Sequence, residues 1–344
     1  MRDILILEQE RLPGVHSSGR NAAMVRQVVS EPVIAELALK SAAFLRSLPV
    51  DWPVPVLFQR NGSLLLGSGE GWGRLLKDAE VARQKGIEAE IWSPEKAKER
   101  VCVLEDADFE GAVWCPADGI VDIHALLTGY LKAAAAQGAE IRYGCPVSGL
   151  EVKAGRVTGV RVPGETIRAA AVINAAGPWA SVIGRLAGAI DAPLRPCRRH
   201  LFVSVPLAWV DPAWPFVWDV THDLYFRPEA GGLLLCPCDQ EETAPGDPPL
   251  DDWVTELLAE KIRRFVPRIS DIAIKKRWAG LRTLSPDGRF AIGWDPRITG
   301  FFWVAGLGGH GVTTSYGVGG LAADLILGGS DADTDEFSLA RFLT

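Results

Sequence analysis

Residues 301–315 decide the fold: Phe301-Phe302-Trp303-Val304-Ala305-Gly306-Leu307-Gly308-Gly309-His310-Gly311-Val312-Thr313-Thr314-Ser315. Five consecutive apolar residues suit a strand buried on both faces, the pattern of a parallel sheet. The glycine-rich run Gly306–Gly311 makes a turn, and a helix is predicted over Thr313–Leu327. A strand, glycine turn and helix in this order aim a partially positive helix N-terminus at a bound group. Two more units of this kind lie upstream. Ala171-Val172-Ile173-Asn174 runs through Ala175-Ala176-Gly177 into a helix over Trp179–Leu186, and Ile4-Leu5-Ile6-Leu7 ends at Glu8 before a Pro13-Gly14 loop.

Other segments read differently. Helices are predicted over Glu31–Leu48 (with Ser30 and Pro32 marking its start), Gly71–Gln84, Ile123–Gln137 and Trp253–Phe265. Strands are expected at Leu64–Leu66 and Glu140–Tyr143, a hairpin at Glu151–Arg161, and a strand-rich aromatic stretch at Arg199–Pro237. Asp239–Asp252 is acidic and proline-rich, hence an exposed loop. The expected fold class is therefore α/β, with a Rossmann-like domain interleaved with an antiparallel-β domain of α+β character. The boundaries are 1–48, 119–192 and 276–344 for the first domain, and 49–118 and 193–275 for the second. Ile4–Leu7 and Phe301–Ala305 are expected in one sheet.

Composition narrows the class. The 344 residues are 48% hydrophobic and 23% charged, an ordinary globular balance. A net charge of −7 argues against binding nucleic acid through its phosphates. Neither a signal-peptide layout nor a transmembrane stretch is visible, so a soluble cytoplasmic protein is expected. The six cysteines match no zinc pattern and read as free buried thiols, and no metal site is expected.

Candidate chemistry begins at Glu8. An acid ending a strand can accept hydrogen bonds from ribose hydroxyls, or can be an ordinary strand-end acid. His16-Ser17-Ser18-Gly19-Arg20-Asn21-Ala22-Ala23 offers hydroxyls and N–H groups suited to a pyrophosphate, although a well-capped helix needs the same residues.

These stretches together carry a resemblance. LEQERLPGVHSSGRNAA, INAAGPWA, PCRRHLF, DLYFRPEAGG, WAGLR and GFFWVAGLGGHGVTTS follow one another as in the FAD-dependent D-amino-acid oxidase superfamily, which includes glycine and sarcosine oxidases. Within it the chain looks most like bacterial D-arginine and related D-amino-acid dehydrogenases. The superfamily opens with a strand, a Gly-x-Gly-x-x-Gly turn and a helix. Met1 falls just before the second strand of that pattern, so this unit is absent from residues 1–344.

The resemblance implies non-covalent FAD and the following roles. Glu8 takes the ribose with Gln9 beside it; Ser17, Ser18, Gly19, Arg20, Asn21, Ala22, Ala23 and Met24 line pyrophosphate and flavin; Val147 pairs with adenine, and Gly177 adjoins the cofactor. Gly309, His310, Gly311, Val312, Thr313 and Thr314 cover the pyrimidine edge of the flavin. No cysteine near Trp278–Pro286 suggests a covalent link. Arg282 grips the substrate carboxylate, Tyr225 adds a phenol hydrogen bond, and Arg199 and His310 stand nearby. Plainer roles are a strand-end salt bridge for Arg282, a core aromatic for Tyr225 and a turn residue for His310.

The implied reaction is oxidative deamination of a D-amino acid, or of an N-methylated or secondary one. Hydride passes from Cα to flavin N5, and the imino product hydrolyses to a 2-oxo acid. The partners are the amino acid and an electron acceptor: a quinone, an electron-transfer protein or O2. A glycine- or sarcosine-type oxidase using O2, or a flavin-less remnant, are the alternatives. The arginine dehydrogenase has a histidine and a tyrosine where this chain has Met24 and Val29. Its guanidinium-reading acid falls at Gly62. A neutral or N-methylated substrate is therefore expected.

Overall fold

The two halves of the antiparallel domain meet in one nine-stranded sheet of this computed structural model, which describes residues 3–329 and 336–343. Strand Ser63–Gly67 runs parallel to Phe216–Asp219, with Ser63 opposite Phe216 and Leu66 opposite Asp219. Beyond Phe216–Asp219 the order continues through Leu224–Glu229, Gly232–Cys236 and Arg195–Ser204. The longest strand, Ile274–Leu284, pairs antiparallel with Arg195–Ser204 along its whole length. A domain boundary at 276 therefore falls inside a strand of this sheet.

Strand alternation gives the sheet two unlike faces. Leu224, Phe226, Leu233, Leu235 and Phe202 point into a core covered by helix Asp252–Phe265, whose Val254, Leu258 and Ile262 form its apolar stripe. Leu201, Tyr225, Leu234 and Cys236 point the other way, toward Ala22 and Met24. The acidic loop is exposed from Gln240 onward, but Asp239 is buried: its carboxylate accepts the His200 N–H at 2.8 Å and pairs with the ring Nδ1 at 2.7 Å.

The Rossmann-like region is divided. Leu5–Leu7 pairs in parallel with Glu140–Arg142 alone. Val172–Asn174 pairs in parallel with Phe301–Ala305, which also pairs antiparallel with Ala291–Trp294. The expected single sheet is thus two separate ones. Both pack on one apolar cluster that includes Phe301 and Trp303 and receives Leu7 and Val172. No described strand lies between them, and Ile4 and Ile173 stay 44% and 46% exposed.

Helix Pro32–Arg46 lies against helix Ser315–Ile326, which brings the residue 16–26 loop beside the glycine turn. Ser30 does not cap the first of these. Glu31 occupies the cap without a side-chain bond, and the Ser30 hydroxyl donates to Asp78 at 2.9 Å. A Cβ on Gly317 would come within 2.6 Å of the Leu37 carbonyl oxygen, so the helices approach only because this residue has none. Gly317→Ala should destabilise the protein by about 1–3 kcal/mol, because backbone crowding outweighs the gain in helix propensity. Denaturant unfolding measures this, and an unchanged or raised midpoint would contradict the close approach.

Candidate active site

Three neighbouring strands align Trp218, Tyr225 and Cys236 across the second face of the large sheet, away from helix Asp252–Phe265. Arg199 comes from the next strand, and Arg282 from the one beyond. Trp218 and Tyr225 are in ring contact, with centroids 5.0 Å apart. The Arg282 side chain makes no hydrogen bond or ion pair among the described residues, and Gly309 lies against it: a Cβ there would sit 3.1 Å from its guanidinium. Buried Tyr225 Oη, Arg199 Nε and Trp278 Nε1 also lack partners. Such groups are costly to leave unpaired, so this cluster is suited to an anionic ligand.

The loop at 16–26 covers this face and is held by its own polar groups. Asn21 donates to the Ser17 and Ser18 carbonyls at 3.1 and 2.8 Å and accepts from Ala23 N at 2.7 Å. That bracket supports Ala23 at φ 58°, a left-handed conformation unusual for alanine. Ser17 Oγ donates to the Leu281 carbonyl at 2.8 Å, and Gly280 lets the loop cross closely, since a Cβ there would meet the Arg20 carbonyl at 2.4 Å. Arg20 pairs with Asp247. The Thr313 hydroxyl bonds both the N–H and the carbonyl of Arg26, at 2.8 and 2.9 Å, and Thr314 Oγ1 donates to the His310 carbonyl. Asn21, Arg20, Thr313 and Thr314 thus use their side chains to shape the site.

The remaining expected positions fall in two places. Glu8 and Gln9 are half-buried after the first strand, and one Glu8 oxygen accepts Glu10 N at 2.9 Å. Val147 packs on the same cluster as Leu7, and Gly177 opens the short helix after Asn174 at φ 52°. His310 follows Gly309, which lies against Arg282, and its ring is 6.5 Å from that of Phe290. Gly62 adopts φ 81°, with the Trp114 ring where a side chain would go, so no acid fits there.

Charge in the site is positive. Burial and then the Arg26 and Arg282 guanidiniums push His310 down to about 3, so it is neutral at pH 7. Burial raises the Tyr225 phenol well above its usual value and keeps it protonated. Burial opposes ionisation of Cys236, but the Cys238 thiol, Arg199 and Arg282 outweigh it and bring Cys236 to about 6. Unfolded His310 protonates near about 6.5, above its folded value, so unfolding takes up a proton. Its contribution to stability is therefore present above about pH 6.5 and is lost as the pH falls toward 3. His310→Gln should lose less stability than the wild type between pH 7 and pH 5; parallel curves would contradict a neutral imidazole in the folded protein.

Sequence reasoning missed three members of this cluster. Arg26 stacks over Trp218 at 4.3 Å, just past the Ser17–Met24 run. Cys236 and Cys238 read as ordinary buried thiols, yet they lie beside Arg199 and Tyr225; Cys102, by contrast, is exposed. Cys197 stands opposite Arg282 in strand register, but its thiol turns to the Arg195 carbonyl.

The chain is similar to known proteins over nearly its whole length. The family described as FAD dependent oxidoreductase matches residues 1–325. Human mitochondrial sarcosine dehydrogenase is 28% identical over 363 residues, covering 99% of this chain, which spans 39% of that protein's length. Among solved structures, L-proline dehydrogenase from P. horikoshii has a TM-score of 0.88 at 21% identity, covering 99% of this chain and 97% of its own. Glycine oxidase from Geobacillus kaustophilus has a TM-score of 0.84 at 24% identity, covering 99% and 93%.

Proposed function

Because the chain belongs to the FAD-dependent oxidoreductase family, matched over residues 1–325, we propose that it oxidises the carbon–nitrogen bond of an amino acid held at Arg282, Tyr225 and Arg199. The unpaired Arg282 guanidinium beside the partnerless Tyr225 hydroxyl and Arg199 Nε carries this reading. A carboxylate would satisfy all three, and the planar arginine fork suits it.

The donor set fits non-covalent FAD. Among the described residues, the N–H groups of Gly309, Gly311, Val312 and Thr313 make no hydrogen bond, and they lead into helix Ser315–Ile326. That arrangement favours negative charge at a bound ring. Among the described residues the second Glu8 oxygen accepts nothing, which leaves it for ribose hydroxyls. When bound, FAD accepts the hydride that leaves the substrate Cα.

The chain's own residues do the rest. Arg282 and Tyr225 fix the carboxylate and so orient Cα. Hydride loss needs a neutral amine, and the positive field of Arg26, Arg199 and Arg282 disfavours the ammonium form. Neutral His310 adds no charge, and no side chain need act as a strong base. The imino product then hydrolyses to a 2-oxo acid. A D-amino acid or an N-methylated one suits the site, and a guanidinium side chain does not, since Gly62 leaves no acid to receive it. A quinone, an electron-transfer protein or O2 re-oxidises the cofactor. Within the described residues no helix is long and apolar enough to cross a membrane.

Purified chain mixed with FAD and freed of excess cofactor should keep the flavin absorbance bands near about 370 and 450 nm. It should also turn over D-amino acids or sarcosine with an artificial electron acceptor. A colourless, inactive protein would contradict the proposal.

A further inference from the structure

A single substrate carboxylate accounts for Arg282, but not for Arg26. That guanidinium lies over the Trp218 ring and makes no hydrogen bond or ion pair among the described residues. Its backbone is pinned on both sides by Thr313 Oγ1, so it is presented in one place. The acid exerting the strongest pull on it is buried Asp118, which is committed elsewhere. Asp118 Oδ1 accepts from Gln27 N and Nε2 at 3.0 and 2.9 Å, and Oδ2 accepts from Ser63 Oγ at 2.6 Å. Thr313 belongs to the same glycine turn as Gly309, which lies against Arg282, so the turn adjoins both arginines.

Two half-buried guanidiniums beside one turn repel each other and lose part of their hydration, which favours an anion at each. Arg199, by contrast, already donates to Gln240 Oε1 at 3.1 Å. We propose that the substrate is a dicarboxylate amine, an N-carboxymethyl or acidic amino acid, with one carboxylate on Arg282 and the second on Arg26 above Trp218. This rests on the amino-acid oxidation proposed above. It departs from the expectation of a neutral or N-methylated substrate, because the side group is acidic. Trp218 forms the floor of the second subsite and orients the guanidinium across its ring.

The test compares iminodiacetate with sarcosine, which differ by the second carboxylate, at fixed ionic strength. Tryptophan fluorescence titration gives affinity, and steady-state turnover of the FAD-loaded chain gives kcat/KM. The wild type should prefer iminodiacetate by tenfold or more in both. Arg26→Met should reduce that preference at least tenfold, and Arg26→Lys should restore part of it. An equal preference in wild type and Arg26→Met would overturn the proposal. So would a loss of FAD in Arg26→Met with the preference intact, which would assign the arginine to the cofactor. Oxidation of sarcosine with no preference for iminodiacetate would overturn the dicarboxylate alone; failure to bind or oxidise either would overturn the oxidation reading as well.

Discussion

Arg282→Lys should raise the Michaelis constant for an amino-acid substrate by tens-fold or more while the protein still binds FAD. Among the described residues the guanidinium makes no hydrogen bond, and it packs against Gly309, so its fork is available to a ligand. Two parallel charge-assisted bonds are each worth roughly 1.5–3 kcal/mol, and lysine keeps the charge but not the second bond. About 1.4 kcal/mol is a factor of ten, which sets the expected size. Tyr225→Phe removes one neutral donor beside Cys236, and should cost less, about 0.5–1.5 kcal/mol. Steady-state kinetics on a panel of D-amino acids and sarcosine separate the two. Unchanged constants in Arg282→Lys would falsify the carboxylate assignment, and loss of flavin would make Arg282 structural.

The second large effect concerns the divided sheet. Extending residues 1–344 at the N-terminus with a strand, a Gly-x-Gly-x-x-Gly turn and a helix should tighten FAD binding by tenfold or more. Leu5–Leu7 and Val172–Asn174 each pair on one side only, run parallel to their partners and share one apolar cluster. A parallel strand between them would cover Ile4 and Ile173 and complete both ladders. Its glycine turn would place backbone N–H groups against the pyrophosphate. Equal FAD occupancy in the short and extended chains would show that the added unit is dispensable.

Much of this architecture is legible in the residues, for physical reasons that also explain the gaps. Continuous apolar runs ended by glycine announce Phe301–Ala305 and its helix because both strand faces are buried. The stripe of Val254, Leu258 and Ile262 announces a helix on a sheet. Membership of Ile274–Leu284 in the large sheet is less legible, because partner choice is set by long-range packing and not by the strand's own pattern. Arg282 stands out through its motif. Arg26 does not, since its meaning comes from Trp218, distant in sequence, and from Asp118 being occupied by Gln27 and Ser63. The role of Asn21 is similarly hidden: an asparagine in a Ser/Gly loop suits a phosphate and an internal bracket equally well, and here it forms the bracket.

The central claim is that an amino acid bound at Arg282 and Tyr225 gives up its hydride to FAD held by this chain. Anaerobic addition of iminodiacetate, sarcosine and neutral D-amino acids to the FAD-loaded protein tests it directly. The band near about 450 nm should bleach with at least one of them in wild type, and far more slowly at the same concentration in Arg282→Lys. A bound flavin that stays oxidised with every compound, or bleaches equally in both proteins, would contradict it.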